Sequence, residues 1–196
     1  MKKNLFFSII ITVYNSEAYL KKAITSVLVQ RIKDLEIILV NDNSKDKSLK
    51  ICKQFGKKNK NIIVINNKKN FGPGKSRNIG IKKAKGKYII HLDSDDYILQ
   101  NSLRNIKRKI IKNNFPSVIL NNTTKGDRKN ANSHLLSFFS SKVYNKDFFI
   151  KIMLKKNIYF SEIWNIVYKR NNVLKNLRFI ETRLAEDNAF VLEVIL

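Results

Sequence analysis

Three carboxylates fall within four residues at Asp93-Ser94-Asp95-Asp96, directly after the apolar run Lys87-Tyr-Ile-Ile-His-Leu92. Like charges so close repel one another unless a cation or a polar ligand offsets them. Asp93 and Asp95 alternate onto one side of an extended segment, so both can face one metal ion. Oxygen-only ligands on a tight turn favour Mg2+ or Mn2+, with substrate phosphates completing the coordination. Helix capping by Asp95 or Asp96 is the plainer alternative. His91 reads as a half-buried strand residue rather than a ligand.

Three other segments carry polar groups suited to a phosphorylated ligand. Asn70-Phe-Gly-Pro-Gly-Lys-Ser-Arg-Asn-Ile-Gly80 contains Gly74-Lys75-Ser76, but Lys69 stands where a P-loop needs its first glycine. Arg77 likewise occupies the place of the last glycine in a dinucleotide fingerprint. What is left is a Gly-rich approach to a helix with Arg77 in an early turn, and backbone N–H groups plus a guanidinium suit a pyrophosphate. Thr12-Val13-Tyr14-Asn15 could hold a flat base or form an ordinary strand-to-helix turn. In Asn41-Asp42-Asn43-Ser44, the aspartate can accept from a base N–H or cap a helix. Late in the chain, Glu186-Asp187 opens the final amphipathic segment. Such a pair usually complements a helix dipole. It also follows residues 99–185, where 18 Lys and Arg face four acids, and a carboxylate across the cleft could serve as general base.

Each of these segments follows an element that must position it. A buried strand is expected at 7–13 and a helix over Glu17–Gln30 behind a Ser16 cap. A second strand is expected at 36–40, then a helix capped by Ser44 or Asp46, carrying Leu49, Cys52 and Phe55 and closed by Gly56. A third strand at 61–65 precedes a helix from Pro73 to about Ala84, stopped by Gly86. The fourth strand spans 87–92. Strands alternating with helices imply right-handed crossovers and a mainly parallel sheet, whose ligands sit beyond the carboxyl ends of the strands. Further on, Asn101 can cap a helix bearing Leu103, Ile106 and Ile110 that ends before Pro116, and 117–120 is strand-like. Residues 121–133 read as a surface loop. Phe148, Phe149, Ile152 and Met153 read as a core stripe.

The chain has 196 residues, 43% hydrophobic and 28% charged, enough to bury one core and too ordinary for collagen, coiled coil or wholesale disorder. Its lone Cys52 excludes an internal disulfide and a thiolate zinc site, so a reducing, cytoplasmic setting is expected. A formal charge of +24 attracts nucleic acid, anionic lipid or phosphorylated molecules without choosing among them. Met1–Val13 has a basic start and an apolar run but no small-residue cleavage site, and its apolar run falls short of the roughly 20 residues that span a bilayer. The apolar finish at Val191–Leu196 suggests a chain truncated at its C-terminus, or a last face covered by another element.

Together these segments resemble the family 2 glycosyltransferases of the GT-A fold. The likeness rests on Ser8–Asn15, Ser26–Gln30, Glu36–Asp46, Asn70–Gly80, Tyr88–Asp96, Trp164–Arg170 and Ala185–Phe190, in the family's order. Asn41 and Asn43 depart from the acidic residue and glycine common in their block, and Ile166 from a frequent lysine. The resemblance implies an α/β, GT-A type nucleotide-binding fold with a mainly parallel central sheet flanked by helices. It also implies one domain over 1–196, with 1–98 binding a nucleotide sugar and 99–196 an acceptor.

By the same resemblance, Thr12, Tyr14 and Glu17 line the base and ribose pocket, Asp42 accepts from a uracil-type N–H, and Arg77 lies beside the nucleotide. Asp93 contacts ribose and metal, Asp95 is the main ligand of Mn2+ or Mg2+, Asp187 is the general base, and Glu186 positions the acceptor. The reaction so implied is metal-dependent, inverting transfer from a UDP-sugar to a surface-glycan or lipid-linked acceptor. A basic second half would meet an anionic membrane peripherally, at its inner face. Two rival readings compete: a sugar nucleotidyltransferase, and a basic nucleic-acid-binding protein. The first lacks an extended Gly/Arg/Lys signature at 70–80. The second leaves the Asp93–Asp96 cluster unexplained, and its aromatics fall at apolar-periodic positions.

Overall fold

The computed structural model describes residues 4–114, 118–120, 166–173 and 179. The chain runs β1 (Phe7–Val13), α1 (Leu20–Leu28), β2 (Leu35–Asn41), α2 (Ser48–Lys58), β3 (Ile62–Asn66), α3 (Pro73–Lys83), β4 (Tyr88–Asp93), α4 (Ser102–Lys112), β5 (Val118–Leu120), β6 (Ile166–Lys169) and a short α5 (Arg170–Val173). Six strands form one sheet in the order β3-β2-β1-β4-β6-β5. The β1–β2, β1–β4 and β2–β3 pairs are parallel, whereas β6 is antiparallel to both β4 and β5. The expected mainly parallel α/β sheet is therefore present, and strands from the second half of the sequence extend it.

Strand order follows from apolar content. β1 and β2 read as near-continuous hydrophobic runs, and both are buried along almost their whole length. Strands covered on both faces need that composition. Ile9, Ile11, Ile37 and Leu39 pack with Leu20, Ala23, Ile24 and Val27 of α1, Ile51 and Cys52 of α2, and Leu103 and Ile110 of α4. Full burial of each large aliphatic side chain contributes about 1.5–3 kcal/mol relative to exposure. On the opposite face α3 approaches so closely that a Cβ at Gly80 would lie 2.5 Å from Ile10 Cγ2. Cys52 is a core residue, and burial pushes its thiol up to about 12, so it stays protonated.

Several boundaries differ from expectation for identifiable reasons. α1 begins at Leu20, because the Ser16 carbonyl accepts from the N–H groups of Tyr19 and Leu20 and folds 17–19 into a turn. α2 runs past Gly56 to Lys58; a Cβ at Gly56 would meet Val64 Cγ2 at 2.8 Å, so a larger residue there would displace that methyl. α3 ends at Lys83 with Ala84 as its C-cap, as expected, so Gly86 lies beyond the helix rather than capping it. Gly86 instead lies against β1, where a Cβ would come within 2.5 Å of Phe7 C and Ser8 N. Its N–H donates to Ser8 Oγ at 2.8 Å, and Ser8 Oγ donates to the buried Glu36 Oε1 at 2.6 Å. Asn101 precedes α4 in the left-handed region, φ 65°, without a side-chain cap. The loop expected at 121–133, the stripe at 148–153 and the final segment from 185 lie outside the described residues. Among the described residues, no helix is long and apolar enough to cross a membrane.

Candidate functional site

β3 connects through α3 to β4 on the far side of β1, so the sheet reverses its winding between β1 and β4. Open α/β sheets bind ligands at such a switch point, beyond the strand carboxyl ends. A cleft of about 330 Å³ lies there, lined by Thr12, Tyr14, Asp42, Arg77, Asp93 and Asp95, with Asn70, Gly72 and Ser76 beside them. Register explains the convergence: Thr12 of β1 stands opposite both Val40 of β2 and Asp93 of β4. Four segments distant in sequence thus deliver one polar chamber.

Asp93 ends β4, and the following residues turn, the Asp96 N–H donating to the Asp93 carbonyl at 3.1 Å. This turn, rather than strand alternation, brings Asp95 to the same cleft as Asp93. Arg77, on the second turn of α3 and 5% exposed, donates from Nη2 to Asp93 Oδ1 at 3.1 Å. Its guanidinium also stacks 5.3 Å from the Phe179 ring centroid. The turn is pinned from a second side, since Ser94 Oγ and Ser16 Oγ lie 2.6 Å apart. Ser16 Oγ donates to the Tyr14 carbonyl at 3.0 Å, which leaves Ser94 as the donor between the two hydroxyls.

Asp42 neither caps α2 nor presents a vacant carboxylate. Its Oδ1 accepts from Asn67 Nδ2 at 2.8 Å and the Phe71 N–H at 2.9 Å. Its Oδ2 accepts from the Gly72 N–H at 2.8 Å and shares the Phe71 N–H at 3.1 Å. With the residue 3% exposed, these bonds make Asp42 the anchor of the 70–72 wall, where Gly72 adopts φ 88° to start α3. The N-cap position of α2 is Lys47, and Asp46 just before it accepts from the Ser48 N–H through Oδ1 at 2.9 Å. Burial works against its ionisation, but hydrogen bonds from Ser48 and the Glu17 N–H outweigh it and hold the carboxyl below its ordinary value.

Glu17 departs from expectation. It is absent from the cleft lining, and its Oε2 accepts from the Lys47 N–H at 2.7 Å, tying the turn before α1 to the start of α2. The two departures in the second block have local reasons. Asn43 adopts φ 58°, a conformation asparagine tolerates where glycine is usual, and Asn41 Nδ2 donates to Asn66 Oδ1 at 2.7 Å.

Three relationships had no sequence signal. Asn78 exchanges both amide hydrogen bonds with the backbone of Phe179, each at 2.9 Å, so its side chain imitates a strand edge. Phe179 also packs edge-on against His91 at 5.3 Å. His91 is fully buried rather than half-buried, with Nε2 2.7 Å from Tyr168 Oη. Desolvation, reinforced by the charge of Arg77, holds its imidazole well below the ordinary value, so it is a neutral packing residue. Glu186 and Asp187 lie outside the described residues.

Asp93 and Asp95 offer hard oxygen donors to one cleft, the chemistry that suits Mg2+ or Mn2+. Among the described residues no group of three His, Cys, Asp or Glu side chains could hold a metal, so these two aspartates alone do not complete a coordination shell, which a bound diphosphate and water can extend.

The sequence model of the family described as "Glycosyl transferase family 2" matches residues 8–174. The minor teichoic acid biosynthesis protein GgaB of Bacillus subtilis is 44% identical over 105 residues, covering 53% of this chain and 12% of that protein. The glycosyltransferase GlyA of Streptococcus pneumoniae is 30% identical over 191 residues, 92% of this chain and 26% of GlyA. The crystal structure of S. aureus TarS 1-349 in complex with UDP-GlcNAc superposes with a TM-score of 0.78 at 25% identity, covering 97% of this chain and 53% of that one. The chain thus spans about an eighth and a quarter of the length of the two curated relatives.

Proposed function

The chain belongs to glycosyl transferase family 2, and from that premise we propose that it transfers a sugar from a UDP-sugar to a hydroxyl of a cell-surface glycan or lipid-linked saccharide. The observation that carries this reading is the convergence of Thr12, Tyr14, Arg77, Asp93 and Asp95 on one cleft at the switch point. Two similarities favour the details: TarS is described in complex with UDP-GlcNAc, and GgaB is named for teichoic acid biosynthesis.

In this reading Thr12 and Tyr14 border the base and ribose, and Asp42 holds the Phe71–Gly72 wall that closes the pocket. Arg77, on the second turn of α3, faces the diphosphate; its guanidinium and the nearby N-terminus of α3 both favour that charge. Asp93 and Asp95 would hold Mn2+ or Mg2+, whose positive charge stabilises the departing diphosphate. Asp187 takes the proton from the acceptor hydroxyl, which Glu186 positions, as the hydroxyl oxygen bonds to the anomeric carbon. The bond to the nucleoside diphosphate breaks in the same displacement, so the anomeric configuration inverts. The proposed setting is cytoplasmic, with peripheral contact at an anionic membrane.

A calorimetric panel of nucleotide sugars with and without Mn2+, followed by product analysis, tests the proposal. Metal-dependent binding of a UDP-sugar and release of UDP are expected. Pyrophosphate release from a nucleoside triphosphate would select nucleotidyl transfer instead. Asp95→Asn should lower turnover by about 10²–10³-fold with an unchanged melting temperature; near-wild-type turnover would overturn the metal role.

A further inference from the structure

We infer that the outer face of α4, together with the α1–β2 connection, docks this protein onto an anionic lipid surface. The two segments form one continuous patch. Gln30 Nε2 donates to the Leu99 carbonyl at 2.9 Å, and Lys107 pairs with Asp34. Residues 29–34 and 99–114 carry seven cationic side chains (Arg31, Lys33, Arg104, Lys107, Arg108, Lys109 and Lys112) and a single carboxylate, Asp34, which Lys107 engages.

α4 buries Leu103 and Ile110 and turns Arg104, Arg108, Lys109 and Lys112 to solvent. Charge alone would suit any polyanion. Val29, Leu99 and Ile111, however, are 54%, 49% and 52% exposed on the same patch. Apolar side chains interleaved with cations gain from the headgroup–acyl boundary and gain nothing from a phosphodiester polymer.

Position supports the assignment. Lys107 contacts Asp34, just before β2, and lies 4.8 Å from the ring centroid of Phe6, just before β1. The patch therefore occupies the amino-terminal end of the strands, opposite the cleft beyond their carboxyl ends. A protein resting on this face keeps its cleft open to the aqueous phase, and docking is independent of the transfer chemistry.

Co-sedimentation of the 196-residue chain with phosphatidylcholine vesicles, with and without phosphatidylglycerol, tests the inference. Binding is expected only with the anionic lipid and should weaken as salt rises. The quadruple variant Arg104→Gln, Arg108→Gln, Lys109→Gln, Lys112→Gln should lose about a hundredfold or more in partitioning, with unchanged melting and nucleotide-sugar binding. An equally discharged control on α2 (Lys50→Gln, Lys53→Gln, Lys57→Gln, Lys58→Gln) should lose far less.

The triple variant Val29→Ser, Leu99→Ser, Ile111→Ser should weaken vesicle binding but not binding to soluble polyphosphate. Equal losses in the two discharged variants would overturn the assignment to α4. Vesicle binding insensitive to the serine substitutions would overturn the lipid in favour of a soluble polyanion. Absence of binding to phosphatidylglycerol vesicles would overturn the inference outright. Vesicle binding without nucleotide-sugar binding would refute the proposed function and leave this face intact.

Discussion

The hydroxyl of Ser94 donates to Ser16 Oγ across 2.6 Å, joining the turn between the two cleft aspartates to the loop that follows β1. Ser16 is held in turn by its own N–H, which donates to Ser48 Oγ at 2.8 Å on α2. The spacing of Asp93 and Asp95 thus depends on two helix starts as well as on β4.

Ser94→Ala removes one such link without stranding Ser16, which still donates to the Tyr14 carbonyl. Loss of a hydrogen bond of about 1 kcal/mol predicts roughly fivefold weaker Mn2+ binding in the presence of UDP. Electron paramagnetic resonance of free Mn2+ reads this directly, and Ser94→Thr should restore affinity. Unaltered Mn2+ binding in the alanine variant would show that the turn holds itself.

Asp42→Asn puts an amide where three N–H donors converge. The 70–72 wall should loosen and UDP affinity fall by about tenfold, the scale of hydrogen bonds lost to a charged acceptor. Because the carboxylate is occupied by protein donors, UDP and CDP affinities should fall together. A selective loss of UDP would instead assign the carboxylate to base recognition.

Gly86→Ala forces a Cβ against the backbone of Phe7 and Ser8, which cannot yield as a flexible side chain would. A destabilisation of about 3 kcal/mol is expected in urea unfolding. Gly72→Ala has open space around it and a positive φ instead, so its cost should be limited to backbone strain.

His91 predicts an acid-sensitive core. Its folded value lies well below the unfolded value of about 6.5, so the unfolded chain binds the extra proton. Stability should be full above pH ~6.5 and fall as the pH drops below it. Urea midpoints between neutral and mildly acidic pH measure the slope, and His91→Gln should flatten it. Asp46, whose carboxyl is held low, adds a separate loss below its unfolded value of about 3.9.

How much of this was legible in the residues depends on the range of the interaction. β1 to β4 and the helices between them were readable because apolar runs and helical periodicity are local, and the Asp93–Asp95 cluster was readable because adjacent carboxylates are locally costly. The bond that Glu17 Oε2 accepts from the Lys47 N–H gave no signal because the two lie 30 residues apart. Asn78 and Phe179 are separated by 101 residues, and neither residue type announces the other. Gly56 and Gly86 looked like helix stops; only packing against Val64 and β1 shows why each lacks a side chain.

Arg77 and Asn78 are neighbours on α3, one facing the aspartate of the cleft and the other clasping the backbone N–H and C=O of Phe179. A single helical turn therefore couples the cleft to a residue 101 positions further along the chain, so a ligand that fixes Arg77 is expected to steady the backbone at Phe179 as well.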